Sequence, residues 1–194
     1  MKEIVGHTTA IKQITDFLSN YKKGKSLLIY GSTGIGKTML SQVIANDNKL
    51  SFMEAHSSDI EEIRKIKSSS KMVSLFGKGK IILIDEIDNY TDRNTVSEIL
   101  DIIKTSSFPV ILTADDAYDK RIKKIREACE LMPLRRVNSY SIIKKLKDIC
   151  DKEMICVPED VLDIVAGSAN GDLRAAINDL EILSANRKKI STSD

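Results

Sequence analysis

No apolar run in this 194-residue chain approaches the length of a membrane span, and its first residues, MKEIVGH, carry no signal-peptide core. The expectation is a soluble intracellular protein with no membrane contact. Cysteine is scarce. Cys129, Cys150 and Cys156 form neither a disulfide framework nor a metal-ligand spacing, which points to a reducing compartment and ordinary burial. His7 and His56 are the two histidines, and neither has a metal-ligand partner at motif spacing, so a metal site built from protein side chains alone is not expected. An excess of one charge is also missing, and a net charge of +2 does not announce a nucleic-acid binder. Local basic groups do occur, at Lys22, Lys23 and Lys25, at Arg64, Lys65, Lys67 and Lys71, and at Lys120, Arg121, Lys123, Lys124 and Arg126. The default reading of each is a solvated face. No internal repeat or low-complexity tract is evident. What remains, 42% hydrophobic and 30% charged, is the composition of a globular protein long enough for one medium domain with a small satellite.

The strongest positive feature is GSTGIGKT over residues 31–38, which fits G-x-x-x-x-G-K-[ST]. SLLIY before it reads as a buried strand, and residues 39–45 read as a helix with Leu40, Val43 and Ile44 apolar. Glycines in such a loop let backbone N–H groups turn onto an anion at a helix N-terminus. Lys37 would reach the outer phosphates of a nucleotide, and the Thr38 hydroxyl would ligate Mg²⁺. The binding set read from the loop is Gly31, Ser32, Thr33, Gly34, Ile35, Gly36, Lys37, Thr38 and Met39.

Around it, residues 8–21 form an amphipathic stripe capped by Thr8 or Thr9. Residues 50–54 read as a second strand, and Ser58-x-x-Glu61 as a capping box for a helix running to about Lys67. Residues 68–80 read as a loop or short helix. Ile81-Ile82-Leu83-Ile84-Asp85-Glu86 is a buried parallel strand with acids at its C-terminal end, the edge where ligands bind in an open sheet. Thr95-x-x-Glu98 caps a helix, residues 108–113 form a fourth strand that Asp115 and Asp116 follow, and Leu131-Met132 marks a fifth. Strand–helix alternation predicts an α/β fold, a five-stranded parallel sheet with flanking helices. After about Arg135 the pattern is helical only, with helices opened by Ser139, Pro158 and Gly171-Asp172. The expected division is a core over 1–134, a helical lid over 135–187 and a tail over 188–194.

Asp85 would hold the Mg²⁺ shell, and Glu86 would polarise the water that attacks the γ-phosphate. Together with the loop they make a Mg-dependent nucleoside triphosphatase the favoured reading. Arg174, in the first turn of the last helix, is either a surface arginine or a lid residue reaching the γ-phosphate.

The order of the phosphate loop, DEID (85–88), PVILTADD (109–116) and GDLRAAINDL (171–180) resembles the AAA+ ATPases of DNA-polymerase clamp loaders. Within them it is most similar to large subunits of replication factor C, of the archaeal and eukaryotic type. EAHSSD at 54–59 and SLFG at 74–77 carry that narrower resemblance. It implies an ATPase subunit that couples ATP and Mg²⁺ to loading of a sliding clamp, together with clamp-loader small subunits, on primer-template DNA. It implies that EIVG (3–6) packs on the adenine, with Ile4 and Val5 in contact, and that Arg174 is the second sensor. It also implies an arginine finger from a neighbouring subunit. This chain has Pro133-Leu134-Arg135-Arg136 and no Ser-Arg-Cys, which suits a subunit that receives a finger without giving one. The resemblance stops after the lid, without the family's collar domain, leaving a fragment or a reduced form as the two readings.

Asp115 stands where the family carries a first-sensor asparagine that helps orient water. A third carboxylate there is expected to repel Asp85, Glu86 and the triphosphate, or to be protonated through a raised pKa, and it leaves hydrolysis open. A non-hydrolysing ATP-binding scaffold of the same complex is the rival reading, and another AAA+ replication initiator or helicase loader the third. By the same resemblance, Ile99, Ile102, Ile103 and Phe108 are the clamp-contact candidates, with Ile102 facing outward. Arg64 and Lys65 stand in for a missing DNA-contacting arginine.

Overall fold

A computed structural model of the chain describes residues 6–71, 79–89 and 92–185. Helix α1 (Thr8–Ser19) leads into β1 (Ser26–Tyr30), α2 (Lys37–Asp47), β2 (Ser51–His56), α3 (Ile60–Ser70) and β3 (Lys80–Asp85). Then come α4 (Arg93–Thr105), β4 (Val110–Ala114), a short 3₁₀ turn (Lys120–Ile122), α5 (Lys123–Glu127) and β5 (Glu130–Pro133). Helices α6 (Ser139–Glu153), α7 (Glu159–Ser168) and α8 (Leu173–Ser184) complete it. Among the described residues, five strands form one parallel sheet in the order β2-β3-β4-β1-β5.

Because side chains alternate across a strand, the apolar strands feed two cores. Leu27, Ile29, Ile81, Leu83 and Ile111 pack with Ala10 and Ile14 of α1 and Leu40 and Ile44 of α2. Leu28, Ile82, Ile84, Val110 and Leu112 pack on the other face with Ile63 and Ile66 of α3, Ile99, Ile102 and Ile103 of α4, and Ile125 of α5. A third core is made by α6, α7 and α8, through Ile142, Leu146, Val161, Leu162, Val165, Ala176 and Leu180. Phosphate loop and strand acids come to one place because the C-terminal ends of β1, β3 and β4 are neighbours along the same sheet edge.

The helix starts differ from the sequence reading in an instructive way. Asp59, not Ser58, caps α3, its Oδ1 accepting from the N–H groups of Glu61 and Glu62 at 3.0 Å each. Ser58 Oγ instead lies 3.0 Å from His56 Nδ1. Asp92 caps α4 through Thr95 N–H at 2.7 Å, three residues ahead of the expected cap. Asn138, not Ser139, caps α6. A carboxylate or amide close to the expected residue took each N-terminus; at α3 and α4 the Asp charge also interacts favourably with the helix dipole, and at α6 the Asn side chain is a strong N-cap acceptor. His7, rather than Thr8 or Thr9, holds the cap position of α1 with no side-chain cap bond. Asp172 caps α8 as read.

Ile102 is fully buried in the α4–sheet core beside Ile99 and Ile103, so it does not face outward. The angular stripe of α4 is wider than expected because α3 packs alongside it and covers that flank. Arg64 is also engaged, with Glu61 at 3.0 Å and Glu98 at 3.6 Å, while Lys67 bridges Glu98 and Asp101 at 2.6 and 2.8 Å. This charge cluster ties α3 to α4 and occupies a group that the sequence offered for DNA. SLFG lies outside the described residues.

Candidate functional site

Gly36 adopts φ +93° at the N-cap of α2, which turns the preceding loop over the first backbone N–H groups of that helix. Lys37, 8% exposed, folds across the loop. Its Nζ donates to Gly31 O at 2.8 Å, Ser32 O at 3.0 Å and Asp115 Oδ1 at 2.6 Å. Thr38 Oγ1 lies 3.0 Å from both carboxylate oxygens of Asp85, and the Thr113 hydroxyl also donates to Asp85 Oδ1. Ile35 is buried in the sheet core, so only its backbone faces the loop. Met39 is half exposed beside the cavity.

Glu86 has φ +53°, and its N–H donates to Thr113 Oγ1 at 2.9 Å. Its carboxylate is held by His56 Nε2 at 3.1 Å and by Asn89 Nδ2 at 2.8 Å. Across from it, Asp115 Oδ2 accepts from Thr33 Oγ1 at 2.7 Å. Burial pushes the Asp115 carboxyl upward, but hydrogen bonds from Lys37 and Thr33 and the charges of Lys37 and Arg174 outweigh it. The carboxyl is held below the usual range. The expected raised pKa and protonation are therefore overturned. Asp115 is an anion, and it faces a cation rather than its fellow carboxylates.

The lid seats directly on the loop. Arg174 N–H donates to Gly34 O at 3.4 Å, and a Cβ on Gly34 would stand 1.8 Å from Asp172 Oδ1. Arg136 joins both parts, donating from Nε to Ser32 Oγ and from Nη1 to Asn170 O, each at 3.3 Å. A cavity of about 360 Å³ results, lined by Thr33, Gly34, Gly36, Lys37, Thr38, Met39, Gln42, Asp85, Glu86, Asp115, Leu173, Arg174, Ile177 and Asn178. Of the residues singled out from the sequence, Thr33, Gly34, Gly36, Lys37, Thr38, Met39, Asp85, Glu86, Asp115 and Arg174 converge here. Gly31, Ser32 and Ile35 form the loop behind them, and Ile4 and Val5 lie outside the described residues. Gly34→Ala should weaken lid seating, because φ +72° disfavours a side chain and the new methyl would evict Asp172 from its cap on Ala175 N–H. The expected loss is about 2 kcal/mol, read as earlier melting of the lid amides in hydrogen exchange.

Several site residues escaped the sequence reading. Asp88 is 6% exposed, and its Oδ2 accepts from the N–H groups of Asp115 and Asp116 at 2.9 and 2.8 Å, which fixes the turn after β4. His7 Nε2 donates to Ile35 O at 2.9 Å, and burial lowers its pKa more than this bond raises it. His56 and Asp88 sat inside quoted motifs without a role. Nothing in the local pattern marks Arg136.

This fold and this convergence of loop, strand acids and lid define a P-loop nucleotide-binding protein of the AAA+ type. The chain belongs to the ATPase family associated with various cellular activities (AAA), whose model matches residues 27–139. Residues 144–185 match the RCF1/5-like AAA+ ATPase lid domain. Curated relatives are named replication factor C large subunit. The one from Sulfolobus acidocaldarius is 36% identical over 93% of this chain and 43% of its own length. That of Nanoarchaeum equitans is 37% identical over 94% and 45%. The chain thus spans somewhat less than half the length of these relatives. Among solved structures, the Holliday junction branch migration motor RuvB of Thermotoga maritima superposes with a TM-score of 0.74 at 16% identity, over 100% of this chain and 68% of that one. That likeness speaks for the fold. Among the described residues, no helix is long and apolar enough to cross a membrane.

Proposed function

We propose that the chain is the ATP-binding part of a clamp-loader subunit of the replication factor C large-subunit kind. Its core would be residues 1–134, its lid 135–187 and its tail 188–194. The observation that carries this reading is the convergence of Lys37, Thr38, Asp85, Glu86 and Arg174 on one cavity closed by the lid. The donor set fits a magnesium nucleotide: backbone N–H groups and an ammonium for phosphates, and a hydroxyl paired with a carboxylate, both hard oxygen ligands, for the ion. Bound there, the magnesium nucleotide would supply the reactive γ-phosphorus.

The chain's own residues divide the work. Lys37 and the loop N–H groups bind the outer phosphates, and Thr38 and Asp85 hold the ion. Glu86 takes the proton of the attacking water once its carboxylate leaves His56 and Asn89. Arg174 binds the γ-phosphate from the lid, so that nucleotide and lid position are coupled. A neighbouring small subunit supplies the arginine finger, and the assembled subunits hold a sliding clamp on primer-template DNA. One observation favours a second reading, a subunit that holds nucleotide without turning it over: the ion pair between Asp115 and Lys37. The test is ATP turnover of the chain alone and with small subunits, clamp and primer-template DNA. Turnover that appears with partners and falls about 100-fold in Glu86→Gln supports catalysis. Binding without turnover in every mixture leaves the scaffold reading, and absence of binding removes both.

A further inference from the structure

We propose that Asp115 makes this site selective for nucleoside diphosphates over triphosphates. The proposal rests on the nucleotide-site reading above and names the ligand class that the isolated chain prefers. Lys37 is the cation that meets the outer phosphates in a loop of this type. Asp115 Oδ1 lies 2.6 Å from its ammonium, and Oδ2 accepts from Thr33 Oγ1 at 2.7 Å. A carboxylate so placed offers two anionic oxygens to the loop, much as a terminal phosphoryl group would.

Its position is also fixed from behind. The backbone N–H of Asp115 is bonded to Asp88 Oδ2 at 2.9 Å, and Asp88 is itself 6% exposed. The residue follows directly on β4, a strand buried along its whole length. The Asp115 backbone is thus anchored beside the loop, and its side chain, 38% exposed, is held there by Lys37 and Thr33. Its ionised state agrees with this, since its carboxyl is held below the usual range by Lys37 and Thr33 against the effect of burial.

A diphosphate is compatible with that arrangement. Its outer phosphate reaches the loop N–H groups and takes one of the two Lys37 N–H donors now given to the Gly31 and Ser32 carbonyls, while Asp115 keeps the third. A triphosphate brings a further anionic group toward the same ammonium. It must then displace Asp115 from Lys37 and Thr33 or sit within a few ångströms of a like charge. Asparagine removes the charge and keeps the shape. A cation delivered by a neighbouring subunit would relieve the same repulsion, so triphosphate binding becomes conditional on assembly.

The experiment is calorimetric titration of the 194-residue chain with ADP and with the non-hydrolysable β,γ-imido analogue of ATP, both with Mg²⁺, in the wild type, Asp115→Asn and Asp115→Ser. The expected result is a preference for ADP of about tenfold or more in the wild type. In both variants the analogue should gain at least about tenfold more than ADP does, which shrinks or reverses the preference. Equal affinities in the wild type, or variants that move both nucleotides alike, overturn the proposal and leave the nucleotide site standing. If neither nucleotide binds any of the three folded proteins, the nucleotide-site reading falls and the proposal with it.

Discussion

Ile102→Asp should unfold the core domain. Ile102 is fully buried among Ile99, Ile103, Ile66 and the β3 and β4 side chains that face α4. Removing the isoleucine side chain alone would forfeit about 2–5 kcal/mol through lost transfer energy and the cavity left behind. Placing a carboxylate there adds several kcal/mol, because the apolar residues around it offer no counter-charge. The sum rivals the whole stability of an ordinary domain, about 5–15 kcal/mol. Urea titration followed by circular dichroism should therefore find no folded baseline, or a midpoint near zero denaturant. Ile182→Asp on α8 is the control. Ile182 is 73% exposed, so the same change there should move stability by less than about 1 kcal/mol. The pair also settles how a clamp-binding experiment is read: loss of clamp binding in Ile102→Asp would report unfolding, and a wild-type midpoint in that variant would show that the α4 packing is wrong.

The misplacement of Ile102 shows where sequence reading stops. Period and composition located every strand of the sheet to within a few residues, because buried parallel strands are short, continuous and apolar, as SLLIY and KIILID are. The site was legible for the same reason: a phosphate loop and strand-end acids are local patterns. What was hidden is what depends on two distant segments. The outward or inward orientation of Ile102 depends on where α3 lies, and the state of Asp115 depends on Lys37, 78 positions away in the chain. Read alone, Asp115 looked like a third repelling carboxylate. Placed against an ammonium and a threonine hydroxyl, the same residue is a stabilised anion. Arg136 is another case, since its link between Ser32 and Asn170 spans 104 residues on one side and 34 on the other.

Lys37→Ala should remove nucleotide binding while leaving a folded protein. The ammonium is the group in the cavity that donates at once to Gly31 O, Ser32 O and Asp115. Charge-assisted bonds contribute about 1.5–3 kcal/mol each, so losing one or two of them to phosphate lowers affinity at least about tenfold, measurable by calorimetry with ADP. Stability should fall as well, by about 1–2 kcal/mol, because Asp115 loses its main partner while its side chain, 38% exposed, keeps partial access to water. A double-mutant cycle isolates that part: Lys37→Ala should cost less in an Asp115→Ala background than in the wild type. The pH dependence gives a second check. A carboxyl whose pKa is lowered on folding contributes stability above its unfolded value and loses it as pH falls through the folded value. The wild type should therefore exceed Lys37→Ala in stability at neutral pH, with the gap narrowing as pH drops below about 4. A gap that stays constant down to pH ~2 would mean that Lys37 acts on the loop carbonyls alone and that Asp115 is not its partner.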